Sequence, residues 1–388
     1  MLFDNYNKFI NYKLKEISNK NQFRHLKTTK RNIKSFVLND NKRLLSFACN
    51  DYLSLSTDKR LAIAAANATI QYGTGSGASR LITGNTPLYA QLEKEICNIK
   101  KTQACIVFGS GFLANIGVIS ALADKNDLIL IDSLSHSSSF LGTKLTKAKI
   151  IKFKHNCIID LEKKLIKYRK NYRKCMILSE GVFSMDGDIS PQDKISYLKK
   201  NHNAFFVLDD AHGFGVLGDG TGSTSIFKKK NVEIDIYIGT LSKSIGSYGG
   251  FVCGKKNLIN FLINRCRTQI YTTGLPPSVL AASIKALKII KNNPKLVKKP
   301  LENATYFCDL LKLKKPESPI VPLILEKEQK VIDASKYLTK RGYLVGCIRP
   351  PTVPKNTSRL RLAFNCAHSK KSIKNLANLL KKFLDYEI

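Results

Sequence analysis

Between residues 104 and 238 the chain repeats one unit, a short uninterrupted apolar run followed by a helix-length stretch. The runs are Ala104 to Phe108, Leu128 to Ile131, Ile150 to Phe153, Cys175 to Leu178, Phe205 to Leu208 and Ile234 to Ile238. A strand that is apolar at nearly every position has no face for water and must be covered on both sides. Strands that alternate with helices are joined by crossovers and lie parallel. The pattern predicts an α/β fold with a mainly parallel central sheet.

The flanks read differently. Residues 1 to 45 are expected to form an N-terminal helical arm that becomes irregular, ending at a strand candidate, Leu44 to Cys49. An alanine-rich helix spans Leu61 to Ile70. Thr86 and Pro87 supply an N-cap and a first-turn proline for a helix with Leu88, Leu92, Ile96 and Ile99 on one face. After Pro277, a helix carries Lys285, Lys288 and Lys291 on what reads as a solvated face. The last hundred or so residues hold a strand, Ile320 to Leu325, and a closing helix with Ile373, Leu376, Leu379, Leu380 and Phe383. The expected organisation is an arm over 1–45, a large α/β domain over 46–290 and a smaller α+β domain over 291–388, linked near Asn292-Asn293-Pro294.

Composition bounds the function. The 388 residues carry 64 Lys and Arg against 29 Asp and Glu, a net +35, yet 43% are hydrophobic, which excludes a disordered chain. Such charge raises nucleic acid as a partner, but no RNP-like aromatic block, helix-turn-helix signature or zinc finger supports it. The excess is read as compositional, and no nucleic-acid partner is expected. The ten cysteines come no closer than Cys97 and Cys105, so no metal cluster is spelled out and a reducing, cytoplasmic compartment is expected. No stretch approaches the ~18 apolar residues that a membrane span needs, and the opening residues lack the apolar core of a signal peptide.

Four constellations carry chemistry. Asp235 to Ser244 reads as a strand ending in a small-residue turn with one lysine, Lys243, placed to form a Schiff base; in so basic a chain an ordinary surface lysine is the competing reading. Phe205 to Leu208 delivers Asp209 and His212 at the C-terminal edge of the sheet, where ligands of open α/β sheets bind. A carboxylate there can hold a pyridine nitrogen protonated, although Asp209 and His212 alone fit a metal fragment or a structural pair equally well. Val107 to Asn115 reads as strand, glycine turn and helix start, a phosphate-binding arrangement. Asp132-Ser133-Leu134-Ser135-His136 brings an imidazole to the same edge. Gly73 to Ala78 fits a dinucleotide pattern, but a helix precedes it instead of a strand. No nucleophile elbow or P-loop is present.

Six ordered blocks resemble the α-oxoamine synthases, fold type I enzymes that use pyridoxal 5'-phosphate to condense an amino acid with an acyl thioester and release carbon dioxide. They are Asn50 to Leu53, Gly75 to Gly84, Phe108 to Asn115, Glu180 to Asp188, Asp209 to Gly215 and Gly239 to Lys243, within a match over nearly the whole chain. The block Ile348 to Pro354 with Ser358 to Arg361 most resembles the member that joins L-alanine to a pimeloyl thioester, carried on coenzyme A or acyl carrier protein, in biotin biosynthesis. Other members use glycine.

The resemblance implies roles residue by residue. Lys243 would carry the cofactor, Asp209 would pair with its pyridine nitrogen and His136 would stack on its ring. His212 would bond the phenolic oxygen, Ser184 would line the pocket, and Gly111, Phe112 and Thr240 would bind cofactor groups, including phosphate. Arg24 and Thr352 resemble thioester and substrate contacts, while Arg349 and Arg361 both remain candidates for the amino-acid carboxylate. A homodimer is implied, with Thr272 and Thr273 near the partner subunit's phosphate. Ser54, where the family pattern has glycine, and Thr86, Tyr89 and Thr221 depart from that pattern.

Overall fold

A computed structural model describes residues 5–385 apart from 20, 21, 27, 34, 40, 41, 228 and 229, so parts of the expected arm lie outside the described residues. The central sheet has seven strands in the order Ala104–Phe108, Gly250–Gly254, Ile236–Thr240, Phe205–Asp209, Lys174–Glu180, Asp127–Asp132 and Lys149–Phe153. All pairings are parallel except those of Gly250–Gly254, which runs antiparallel to both neighbours. The six apolar runs are all strands, the last displaced two residues later than its hydrophobicity suggests. Gly250–Gly254 escaped that reading because glycines bracket only three apolar residues. Glycine is required at 250, where a Cβ would lie 2.5 Å from the Gly111 nitrogen.

Helices cover both faces, as a doubly apolar sheet demands. Ala114, Val118 and Ile119 of helix Gly111–Leu122 pack with Ile259 and Leu262 against one face. Leu161 and Leu165 of helix Ile158–Tyr168 pack with Ile195 and Leu198 against the other. Helix Pro87–Lys100 seats Leu92 and Ile96 fully inside a third cluster, where truncation of either to alanine costs about 2–5 kcal/mol. Thr86 sits at that helix's N-cap, but its hydroxyl makes no capping bond. Lys285, Lys288 and Lys291 are exposed, as their spacing implies.

The segment before residue 46 is more ordered than expected. After helix Tyr6–Asn19, strands Thr29–Ile33, Phe36–Asn39 and Lys42–Ser46 form an antiparallel run, and the last pairs in parallel with Tyr343–Leu344. Short strands dense in Lys, Arg and Asn carry little apolar signal, which is why this part reads as irregular. Leu45 and Phe47 join the core built by the C-terminal sheet Ile320–Glu326, Ser358–Ala363 and Gly346–Ile348 with helices Pro294–Leu311, Glu328–Lys340 and Lys370–Asp385. Phe47 stacks on His368 at 3.8 Å, and the Ala363 N–H donates to the Phe47 carbonyl at 2.7 Å. From this anchorage the chain enters the large sheet's edge through Tyr52. Ser54 there adopts φ +51°, the left-handed region glycine favours.

Candidate functional site

Parallel strands bring their C-terminal ends to one edge, and four of them end in polar residues: Asp132, Glu180, Asp209 and Thr240. Asp209 is buried. Its Oδ2 accepts from Asn115 Nδ2 at 2.6 Å and its Oδ1 from the Ala211 N–H at 3.0 Å, so the carboxylate is fixed in direction.

Lys243 stands on the tight loop after strand Ile236–Thr240, closed by Leu241 N–H to Gly249 oxygen at 2.9 Å and Gly246 N–H to Lys243 oxygen at 3.0 Å. Gly246 has φ +70°, and a Cβ there would strike the Ser56 nitrogen at 2.5 Å, so only glycine lets this loop pass. Lys243 Nζ lies 2.7 Å from His212 Nε2, and His212 Nδ1 lies 2.7 Å from the Tyr52 hydroxyl. Burial brings the Lys243 amine down to about 8, against the opposing pull of Asp209 and Glu180. Burial, helped by Lys243, Arg361 and His136, holds His212 well below its ordinary value and therefore neutral.

His136 caps helix Ser137–Lys144, with Nδ1 2.7 Å from Ser138 Oγ, and its backbone N–H donates to Glu180. Burial lowers its pKa; Asp209 opposes the shift and Lys243 adds to it, which places all three groups in one field. Burial and then the neighbouring Asp209 raise Glu180 well above the carboxylate range.

Arg361 reaches this edge from strand Ser358–Ala363. It is 5% exposed, its Nε donates to the Ser184 carbonyl, and its Nη2 has no hydrogen-bond partner among the described residues. The guanidinium is close enough to Tyr52 to oppose the rise that burial imposes on that hydroxyl. A buried cationic donor left open costs free energy unless a ligand meets it.

At the far side of the lysine loop, helix Gly111–Leu122 begins. Ser110 Oγ accepts from the Leu113 N–H at 3.1 Å, while the N–H groups of Gly111 and Phe112 have no acceptor within the helix. Gly111 lies against Thr240, whose Oγ1 is 2.8 Å from Ser242 Oγ, so a Cβ at 111 would fill the space before those hydroxyls. A helix start with adjacent hydroxyls suits a phosphate. A fixed carboxylate, a nearby desolvated amine and an open guanidinium suit a pyridine aldehyde and an amino acid. The residues therefore fit pyridoxal 5'-phosphate.

The structure brings Lys243, Asp209, His136, His212, Arg361 and Ser184 together, with Gly111 and Thr240 adjoining and Phe112 half-exposed. Arg24 and Thr352 are exposed, and no side-chain hydrogen bond among the described residues joins either to this cluster; Arg349 is only partly buried, on the loop after Ile348. Thr273 pairs with Ser79 in an isolated bridge. Sequence reading gave no role to Tyr52, Asn115 or Glu180, although each lies in a quoted block. A cleft of about 1050 Å³ opens elsewhere, lined by Lys101, Lys174, Phe205 and Lys255 near strand starts, and holds none of the site residues.

Residues 42–380 match the family model of class I and II aminotransferases. An 8-amino-7-oxononanoate synthase of Methylocella silvestris is 46% identical over 345 residues, 89% of this chain and 98% of that one. The solved serine palmitoyltransferase of S. paucimobilis superposes with TM-score 0.91 at 26% identity over 99% of each chain. An 8-amino-7-oxononanoate synthase from Francisella tularensis does so with TM-score 0.76 at 31% identity, over 89% of this chain and 98% of that one.

Proposed function

The chain belongs to the class I and II aminotransferase family, as a pyridoxal 5'-phosphate-dependent acyltransferase of fold type I, and on that premise we propose that it joins L-alanine to a pimeloyl thioester. A carbon–carbon bond forms between the α-carbon of alanine and the thioester carbonyl, the thiol leaves, and the alanine carboxylate departs as carbon dioxide. The product is 8-amino-7-oxononanoate, an intermediate on the way to biotin.

When bound, the cofactor supplies an electron sink for the carbanion formed at the α-carbon. The chain's residues supply the rest. Lys243, its amine near pKa 8, is available unprotonated at mildly basic pH to take the α-proton at Nζ and to return it. Asp209, held by Asn115 and Ala211, would keep a ring nitrogen protonated. His136 and His212, both disfavoured as cations by burial, would flank the ring without adding charge. Gly111, Phe112 and Thr240 would hold the phosphate.

The observation that carries the amino-acid reading is the buried, open Nη2 of Arg361 beside the lysine. It favours Arg361 over Arg349 for the substrate carboxylate. Arg24 and Thr352 would meet the thioester at the surface, in a basic chain suited to an anionic carrier. We also assign the enzyme a homodimeric state and, from ten free thiols, a cytoplasmic location; no helix among the described residues is long and apolar enough to cross a membrane. The test is purified holoenzyme with alanine or glycine against pimeloyl-, succinyl- and acetyl-CoA, read by product mass. Alanine with pimeloyl-CoA should turn over fastest; a preference for glycine would assign the chain to another branch.

A further inference from the structure

Behind the cluster, His155 joins two turns that build it. Asp132 ends its strand with Oδ1 accepting from the Leu134 N–H and Oδ2 from the Asn156 N–H, both at 2.9 Å, so the turn leading to His136 folds around this carboxylate. Asp188 closes the turn begun at Phe183, where Gly187 N–H donates to Phe183 oxygen at 2.8 Å and Phe183 N–H to Asp188 oxygen at 3.0 Å. His155 spans them: Nδ1 is 2.9 Å from Asp132 Oδ1 and Nε2 is 2.8 Å from Asp188 Oδ2. Asn156 Nδ2 donates to the same Asp188 oxygen at 2.7 Å, and the Phe183 ring meets the imidazole edge-on at 4.4 Å.

A neutral imidazole has one N–H and cannot donate to two carboxylates; an imidazolium donates to both. Burial works against the charge, yet the two carboxylates outweigh it and raise His155 to about 10. The bridge is therefore cationic at neutral pH.

The turn it pins is the one that seats both arginines of the last strand. Arg361 Nε donates to Ser184 oxygen, and Arg359 Nη1 donates to Asp186 and, at 3.4 Å, to Met185 oxygen. We propose that His155 is a positioning residue for the amino-acid carboxylate: its imidazolium fixes the Ser184–Asp188 turn against the His136 turn and so sets where the open Nη2 of Arg361 points. The inference rests on reading Arg361 as the carboxylate ligand.

The test compares His155→Gln, Asp188→Asn and Arg361→Lys holoenzymes with the parent. L-Alanine affinity is read without turnover, from the change in cofactor absorbance, beside the KM for pimeloyl-CoA and the melting temperature. His155→Gln and Asp188→Asn should each weaken alanine binding tenfold or more while the pimeloyl-CoA KM stays within twofold. Alanine affinity within twofold of the parent in both variants, with only the melting temperature lowered, would overturn the proposal. If His155→Gln does not fold, Asp188→Asn decides by the same criterion. Arg361→Lys separates the two readings. Weakened alanine binding there but not in the other two leaves the carboxylate assignment standing and removes His155 from it. Unchanged binding in Arg361→Lys removes the carboxylate assignment and, with it, the route through Arg361.

Discussion

Lys243 Nζ stands 2.7 Å from Nε2 of His212. An ammonium only donates, so Nε2 accepts and the imidazole proton sits on Nδ1, facing the Tyr52 hydroxyl at 2.7 Å. One hydrogen-bonded chain thus connects the segment before helix Lys59–Tyr72 to the reactive amine.

Lys243→Ala removes both the base and the attachment point for the cofactor. The visible absorbance of the holoenzyme should vanish, and kcat should fall by at least the ~10²–10⁴-fold that general acid–base catalysis usually contributes. A variant retaining the band would remove Lys243 from its role.

The amine that burial brings to about 8 loses its proton as pH rises through that value. Cofactor loading onto cofactor-free protein, followed by absorbance, should therefore accelerate between about pH 7 and 9 and then level off. A rate still climbing steadily towards pH 10.5 would show an ordinary lysine.

Asp209→Asn keeps the shape and removes the charge. With a charge-assisted hydrogen bond worth about 1.5–3 kcal/mol, kcat should drop on the order of 10–150-fold. Asn115→Ala leaves Asp209 Oδ2 without its 2.6 Å donor and should lower kcat about tenfold with a smaller loss of cofactor affinity. Equal activity in Asn115→Ala would show that the carboxylate is fixed by other contacts.

Ser54 holds φ +51°, in the left-handed region that glycine favours. A left-handed L-residue costs about 1–2 kcal/mol, partly offset because glycine frees the unfolded chain. Ser54→Gly should raise the melting temperature by a few degrees without changing kcat, and a lowered melting temperature would show that its buried side chain stabilises more than the backbone costs.

The sheet was legible because Asp127–Asp132 and Lys174–Glu180 are apolar along most of their length, a pattern that admits one solution. Gly250–Gly254 was not, since Gly250 answers to the backbone of Ser110 and Gly111, and Gly254 to Leu258 and the Asp235 carbonyl, and not to strand propensity. Lys243, Asp209 and His212 could be named because each follows a strand, so topology alone gathers them at one edge. Arg361 comes from the C-terminal sheet and Tyr52 from the segment that leads from Phe47 into the core beside the large sheet, and their convergence on His212 depends on long-range packing. The choice between Arg349 and Arg361 waited on burial, since only a desolvated and unmet nitrogen distinguishes them.

Glu180 accepts the His136 N–H while burial and Asp209 raise its pKa well above the usual carboxylate range. A carboxyl whose pKa is raised by folding binds more protons in the folded than in the unfolded state once pH passes about 5, so its contribution to stability becomes less favourable as pH rises. Glu180→Gln keeps an oxygen acceptor for His136 and has no proton to lose. In cofactor-free protein its melting temperature, relative to the parent, should therefore climb from about pH 5 to pH 8. A difference that stays flat over that range would mean Glu180 titrates as an ordinary carboxylate, and a falling one would mean that its negative charge stabilises the edge through Lys243.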